Sequence, residues 1–291
     1  MKRLMRNIGL KLIGLVLCSL SMAQETSKPM AAPAAIESDS LIFVRYVEAM
    51  SIASSRSMSE TLVQTARFFL GTPYVGATLE QEPEQLVVNL RAFDCTTFVE
   101  NVLALSRVVR SGQPSFSNFR KELARLRYRT EQITDYTDRL HYTADWMYEN
   151  CRRGVVVDCT QQAGGIPLPL KLNFMSTHVS AYKQLVNHPE RLARIRQIES
   201  RINQRSYYYL PQDSIESNAS AFHNGDVVCF VTSIEGLDIA HLGIVCWQGE
   251  KLTFIHASSS GKQVILNEDS LSDYVRQIKK DIGIMLWRPL P

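Results

Sequence analysis

At Asn224-Gly225-Asp226 the chain changes its hydrophobic period, and no other feature constrains its fold as tightly. Upstream of that turn, apolar residues recur at helical spacing. Downstream, short runs rich in Val, Ile, Phe and Leu are separated by turn residues such as Gln248-Gly249-Glu250. The downstream runs predict strands over 227–232, 242–247, 252–256, 263–266 and 282–288. Helices first and closely spaced strands afterwards predict an α+β fold, with N-terminal helices packed on an antiparallel sheet.

The start of the chain reads as an export signal. Lys2, Arg3 and Arg6 precede an apolar stretch over 12–20, and Ser21-Met22-Ala23 has the small-x-small form of a cleavage site, which sets the signal peptide at 1–23. That stretch is shorter than the roughly 20 residues a bilayer crossing needs. No later segment is long and apolar enough either, so no membrane span is expected in the mature protein. The expected location is the periplasm or cell envelope. Leu17 stands where a lipidation site needs a small residue before Cys18, and cleavage without lipidation is expected. Residues 24–40, rich in Pro, Ala and Ser, form a flexible linker, and a single domain occupies 41–291.

With 45% hydrophobic residues and a net charge of only +3, the chain has material for a core and little attraction for nucleic acid. No Lys/Arg run carries interleaved aromatics, so no nucleic-acid partner is expected. Cleavage removes Cys18 and leaves Cys95, Cys151, Cys159, Cys229 and Cys246. An odd count in an oxidising compartment leaves a thiol unpaired. There is no Cys-x-x-Cys and no His-x-x-x-His, so neither a metal nor another cofactor is expected.

Before the turn, Ser57-x-x-Glu60 is a capping box for a helix carrying Leu62, Ala66, Phe69 and Leu70 until Gly71 stops it, and a tight turn follows over 72–76. Asp94 is placed to cap a second helix, with Cys95 in its first turn and an apolar set (Phe98, Val99, Val102, Leu103 and 105–109) that buries it as far as Gly112. Residues 113–215 mix signals: a basic helix over 119–129, a tyrosine-rich segment around His141, Asp145 and Trp146, a Gly/Pro break over 164–169, and a helix over 189–205.

A cysteine at a helix start and a histidine on a strand have complementary chemistry. The helix dipole and a nearby imidazolium both lower a thiol pKa, and the same free amides can receive an oxyanion. His241 is then the base, and His256, on the next strand, holds the His241 ring in its working tautomer. A lone cysteine on an apolar helix is more often a small core residue, and strand histidines are more often structural. Order and local setting together single these three out. Asp145, Trp146 and His141 are candidates for a wall of the cleft, although a Tyr/Trp cluster is as often plain core.

These residues resemble the NlpC-type cell-wall peptidases, papain-like cysteine hydrolases of bacterial peptidoglycan. The resemblance rests on Gly71-Thr72-Pro73-Tyr74-Val75-Gly76, Asp94-Cys95-Thr96-Thr97-Phe98-Val99, Gly225-Asp226, His241-Leu242-Gly243-Ile244 and His256, in that order. It implies a papain-like fold, with Cys95 as nucleophile, His241 as base and His256 as the orienting residue. It also implies that Tyr74, Asp94 and Thr96 border the substrate beside the thiol. The separation of Cys95 and His241 is longer than a minimal domain of that family needs, so 113–215 reads as a large, mainly helical insertion. With Asp145-Trp146 and Phe174-Met175-Ser176-Thr177-His178, that insertion resembles the N-acetylmuramoyl-L-alanine amidase-like branch. A second Asp-Cys-Thr, at Asp158-Cys159-Thr160, is set aside because Gly164-Gly165-Ile166-Pro167 cannot continue a buried helix and no Gly-x-Pro-Tyr precedes it.

The resemblance implies hydrolysis of an amide in peptidoglycan or in muropeptides, through a thioester. Two bonds qualify: the lactyl amide between muramic acid and L-Ala, which the insertion favours, and the γ-D-Glu to diamino-acid bond of the stem peptide. An inactive wall-binding module and an acyl transferase are the rival expectations.

Overall fold

The computed structural model describes residues 37–51, 57–130 and 132–291. The expected signal peptide, Cys18 and the first part of the expected linker lie outside the described residues. Helix α1 spans Asp39–Ser51 and so begins inside the stretch expected to be linker. Its apolar stripe explains why: Ile42, Phe43, Tyr46 and Met50 recur at three- and four-residue intervals and are all buried. Helix α2 (Met58–Phe68) starts at the expected capping box, with both Ser57–Glu60 hydrogen bonds formed. Tyr46, Thr65 and Ser106 link their hydroxyls at 2.8 and 2.9 Å, tying α1 and α2 to the next helix inside the core.

That helix, α3 (Cys95–Arg110), is the centre of the molecule. Asp94 is extended (φ −94°, ψ −179°); its carboxylate accepts from the Thr97 amide while the Thr97 hydroxyl accepts from the Asp94 amide. Phe98, Val99, Val102, Leu103, Ala104, Leu105 and Val108 are all at most 4% exposed. Each such Leu, Val or Phe contributes about 1.5–3 kcal/mol on leaving water, so packing rather than propensity holds this helix.

The 113–215 region contributes α4 (Phe116–Arg127), α5 (Thr143–Arg152), the short α6 (Phe174–Thr177) and α7 (Pro189–Ile202). It also contributes three strands that the sequence did not lead us to expect: β1 (Val156–Asp158), β2 (Ile166–Leu168) and β3 (Tyr207–Pro211). The region is mainly helical, as expected, and its three short strands extend the sheet. The expected strands follow as β4 (Val227–Thr232), β5 (Ile239–Gln248), β6 (Lys251–Ser258) and β7 (Gln263–Leu266). Helix α8 (Leu271–Gln277) and β8 (Asp281–Pro289) close the chain.

The strands form one antiparallel sheet in the order β2-β3-β8-β4-β5-β6-β7, with β1 also paired to β8. Helix α3 packs on β5 and β6. Along β4, Val227, Cys229 and Val231 join the core built on α3, while Val228 and Phe230 join a second core with Leu271 and Val275 of α8. Cover on both faces is why β4 reads as an unbroken apolar run. No helix among the described residues is long and apolar enough to cross a membrane.

Candidate active site

Backbone pairing brings the 72–76 turn to the start of α3. Pro73 accepts from the Phe93 amide at 3.0 Å and Val75 donates to the Phe93 carbonyl at 2.9 Å, so the 72–76 turn is stitched to the residue preceding Asp94. Tyr74 consequently stands beside Cys95: burial, then the Cys95 and Asp94 charges, push its phenol up.

Strand β5 reaches the same place from the sheet. Phe230 pairs with His241 but Val231 pairs with Ile239, so Ala240 is bulged out just before the histidine. Such bulges re-aim side chains near sites. The backbone of Leu242, next to His241, lies close enough to the Cys95 sulfur to favour its ionised form, as do the Thr96 backbone and side chain. Nε2 of His241 lies 2.6 Å from Nδ1 of His256. That leaves Nδ1 as the remaining nitrogen of His241. Gly243 is required two residues on, because a Cβ there would come within 2.6 Å of the Phe254 ring, which itself packs on His256 with centroids 4.6 Å apart.

The electrostatics depart from expectation. Burial, and next the Asp94 carboxylate, push the Cys95 thiol up to about 11, outweighing the opposite influence of Leu242 and Thr96. Burial pushes His241 down to about 4 and, with its neighbour His241, His256 down to about 3. The expected lowering of the thiol is therefore corrected. No imidazolium stands nearby at neutral pH, and desolvation beats the helix dipole. At rest the site holds a neutral thiol beside neutral imidazoles.

Tyr74, Asp94, Thr96, Cys95, His241 and His256 thus converge. Trp146 lines a cavity of about 10 Å³ with Thr96, Leu140, His141 and Leu242, against the first turn of α3. Asp145 does not join them. It is 1% exposed, and its carboxylate is taken by Arg129 at 2.6 Å and Arg205 at 2.7 Å, an ion-pair hub that joins α5 to the chain on either side of it. Asp226 of the Gly-Asp pair likewise serves the fold, accepting two 2.9 Å hydrogen bonds from Arg288. Cys159 is buried at the end of β1, and its amide donates to the Leu286 carbonyl of β8. His178 stays on its own helix, bonded to the Phe174 carbonyl at 3.0 Å.

Tyr274 on α8 is absent from the sequence expectations yet packs on both imidazoles, with centroids 6.4 Å from His241 and 5.7 Å from His256. Ser270, which caps α8 by accepting from the Asp273 amide, is the signal that could have located the helix. All five described cysteines carry free thiols, and no three His, Cys, Asp or Glu side chains among the described residues converge as a metal site.

Fold and site together define an α+β protein in which a helix-borne thiol meets the strand that carries one imidazole, itself hydrogen-bonded to a second on the next strand. The chain belongs to the AmiA-like, N-acetylmuramoyl-L-alanine amidase-like family, whose profile matches residues 64–284. It is similar to a crystal structure of an N-acetylmuramoyl-L-alanine amidase from Bacteroides uniformis, with 35% identity over 80% of this chain and 99% of that one and a TM-score of 0.77. A Bacteroides fragilis structure provisionally named a xylanase matches at 35% identity, 77% and 99% coverage and a TM-score of 0.74. A Legionella pneumophila protein at 24% identity, covering 87% of this chain and 94% of its own, shares the fold with a TM-score of 0.64. No curated protein sequence matches the chain.

Proposed function

We propose that this chain is an exported cysteine amidase that cuts peptidoglycan, or fragments released from it, at the lactyl amide joining N-acetylmuramic acid to L-alanine. The observation that carries the mechanism is the run of contacts from the Cys95 sulfur through the Leu242 backbone to His241, and from His241 to His256 at 2.6 Å. The choice of bond is supported by the family and by the name of the Bacteroides uniformis relative. The order of motifs, with a helix-borne cysteine packed on an antiparallel sheet, supports a papain-like fold of NlpC type.

In this reading the Cys95 sulfur attacks the lactyl carbonyl carbon while Nδ1 of His241 takes the thiol proton. Because thiol and imidazole are both neutral at rest, proton transfer accompanies attack instead of preceding it. Free amides at the start of α3 receive the oxyanion. His241 then gives its proton to the departing amine of L-alanine, leaving a thioester on Cys95. Water, deprotonated by His241, attacks that thioester, and the lactyl carboxylate and the thiol are released. The work is done outside the cytoplasm, in the periplasm or cell envelope, where the polymer is.

Incubation with muropeptides followed by mass spectrometry tests the assignment. The wild-type protein and Cys159→Ala are expected to release the intact stem peptide beginning at L-alanine, and Cys95→Ala to release nothing. Loss of activity in Cys159→Ala alone would overturn the site. Sugar that still carries L-Ala and D-Glu would overturn the choice of bond.

A further inference from the structure

The proton that His241 takes from the thiol leaves a positive charge on a buried ring. In a triad that ends in a carboxylate, that charge has an anion behind it. Here the third member is another imidazole, and no carboxylate hydrogen-bonds either ring among the described residues. Burial already disfavours a cation on both rings. Some other part of the site has to offset the charge each time it forms.

What surrounds the two imidazoles is aromatic. Phe230 lies 5.5 Å from His241, centroid to centroid, with ring planes inclined at 37°. Phe254 lies 4.6 Å from His256 at 44°. Tyr274 packs on both imidazoles, 5.7 Å from His256 and 6.4 Å from His241. It closes the cup by packing on Phe230 at 5.3 Å and on Phe254 at 4.9 Å. Aromatic faces carry partial negative charge and attract a cation within about 6 Å, most strongly where water is excluded. That attraction is switched on only when the proton arrives, so it favours the transition state over the resting site. Phe230 and Phe254 are fully buried and also fill the second core. Tyr274 is half-buried, and its hydroxyl has no hydrogen-bond partner among the described residues, so its ring is the part engaged. We propose that Tyr274 is a positioning residue that acts through the imidazoles, its ring joining those of Phe230 and Phe254 to hold the charge that a carboxylate would otherwise offset. The inference rests on the cysteine–histidine reading above.

The test varies the charge on the ring face while keeping its shape. Tyr274→Phe is compared with the same substitution made with phenylalanines carrying one, three and five ring fluorines, which progressively weaken the attraction for a cation. Alkylation of Cys95 by iodoacetamide near neutral pH is followed by mass spectrometry of the Cys95 peptide. Sulfur bonds carbon, iodide leaves and the thiol proton passes to His241, so the same cation forms with no substrate present. Tyr274→Phe is expected to react at the wild-type rate, and the rate to fall with added fluorine by about tenfold across the series. A rate indifferent to fluorine overturns the proposal, because a purely structural ring would pack equally well whatever its charge. A full loss already present in Tyr274→Phe also overturns it, since the hydroxyl would then be the active part. Muropeptide cleavage is followed in parallel. A fluorine-dependent alkylation rate without cleavage by the wild-type protein would overturn the amidase reading and keep the aromatic cup. Cleavage with a fluorine-independent rate would overturn the cup alone.

Discussion

His241 and His256 meet edge to face through their ring nitrogens, 2.6 Å apart with ring planes at 81°. For Nδ1 of His241 to accept a thiol proton, its Nε2 must carry the hydrogen and donate it to Nδ1 of His256. His256 then bears its own proton on Nε2, a buried atom with no hydrogen-bond partner among the described residues. His256→Ala removes the acceptor and is expected to lower kcat by about 10²-fold or more. His256→Gln, whose amide oxygen still accepts, is expected to retain more. Equal losses in steady-state kinetics would show that ring packing, and not the hydrogen bond, is what matters.

The same two rings set an acid limit. Burial holds His241 at about 4 and His256 at about 3, so kcat/KM is expected to stay level through neutrality and to fall only as pH drops through about 4. An ordinary histidine would set that limb near 6.5. Stability follows with a definite sign. Between about 6.5 and 4 the unfolded chain binds protons that the folded rings refuse, so the contribution present above 6.5 is lost as pH falls. His256→Gln removes one such group, and its melting temperature is expected to drop less than that of the wild type between pH 7 and pH 5.

Asp94 serves the helix and opposes the thiolate at the same time. Its carboxylate caps α3, and after burial it is the largest influence raising the Cys95 thiol to about 11. Asp94→Asn keeps a good cap and removes the charge, so the pH profile of Cys95 alkylation is expected to move to lower pH. Asp94→Ala loses the cap as well, at about 1 kcal/mol of stability by chemical denaturation. An Asn variant with an unchanged alkylation profile would refute the electrostatic role.

Glu100 and Arg127 form an ion pair at 2.7 Å with side chains 3% and 2% exposed. Removing either partner strands a buried charge, and Glu100→Ala is expected to cost about 3–5 kcal/mol in urea denaturation. The double replacement Glu100→Leu with Arg127→Met is expected to cost less than Glu100→Ala alone, because it leaves no charge unpaired.

What could be read from sequence was local. Asp94, Cys95 and the apolar positions after them carry α3 in a few residues, and the runs holding His241 and His256 carry their own strand signal. Strand β1 could not be read: three residues hold no periodicity, and it exists because Val156 to Asp158 pair with β8 far along the chain. Asp145 looked available because the partners that neutralise it, Arg129 and Arg205, flank α5 at a distance in sequence. The thiol was misjudged for a related reason. A helix start is visible in sequence, whereas the depth of a sulfur and the side on which a carboxylate lies are properties of the packed chain.

Asp281 provides the last test, at the start of β8. It is 3% exposed, neither carboxylate oxygen has a hydrogen-bond partner among the described residues, and burial pushes it up to about 6. Its charge is felt by Tyr274, whose phenol is pushed up to about 12 by burial first and by Asp281 next. The folded state therefore holds this proton more tightly than the unfolded chain, where a carboxylate titrates near 4. The sign is opposite to that of the histidines: stability falls as pH rises from about 4 through 6, and by pH 7 the unpaired charge costs about 1–3 kcal/mol. Asp281→Asn has no charge to bury, so its melting temperature at pH 7 is expected to exceed that of the wild type. The gap should close as pH approaches 4, where the wild-type carboxyl is itself neutral. A gap of the same size at both pH values would mean that shape or hydrogen bonding, and not charge, separates the two proteins.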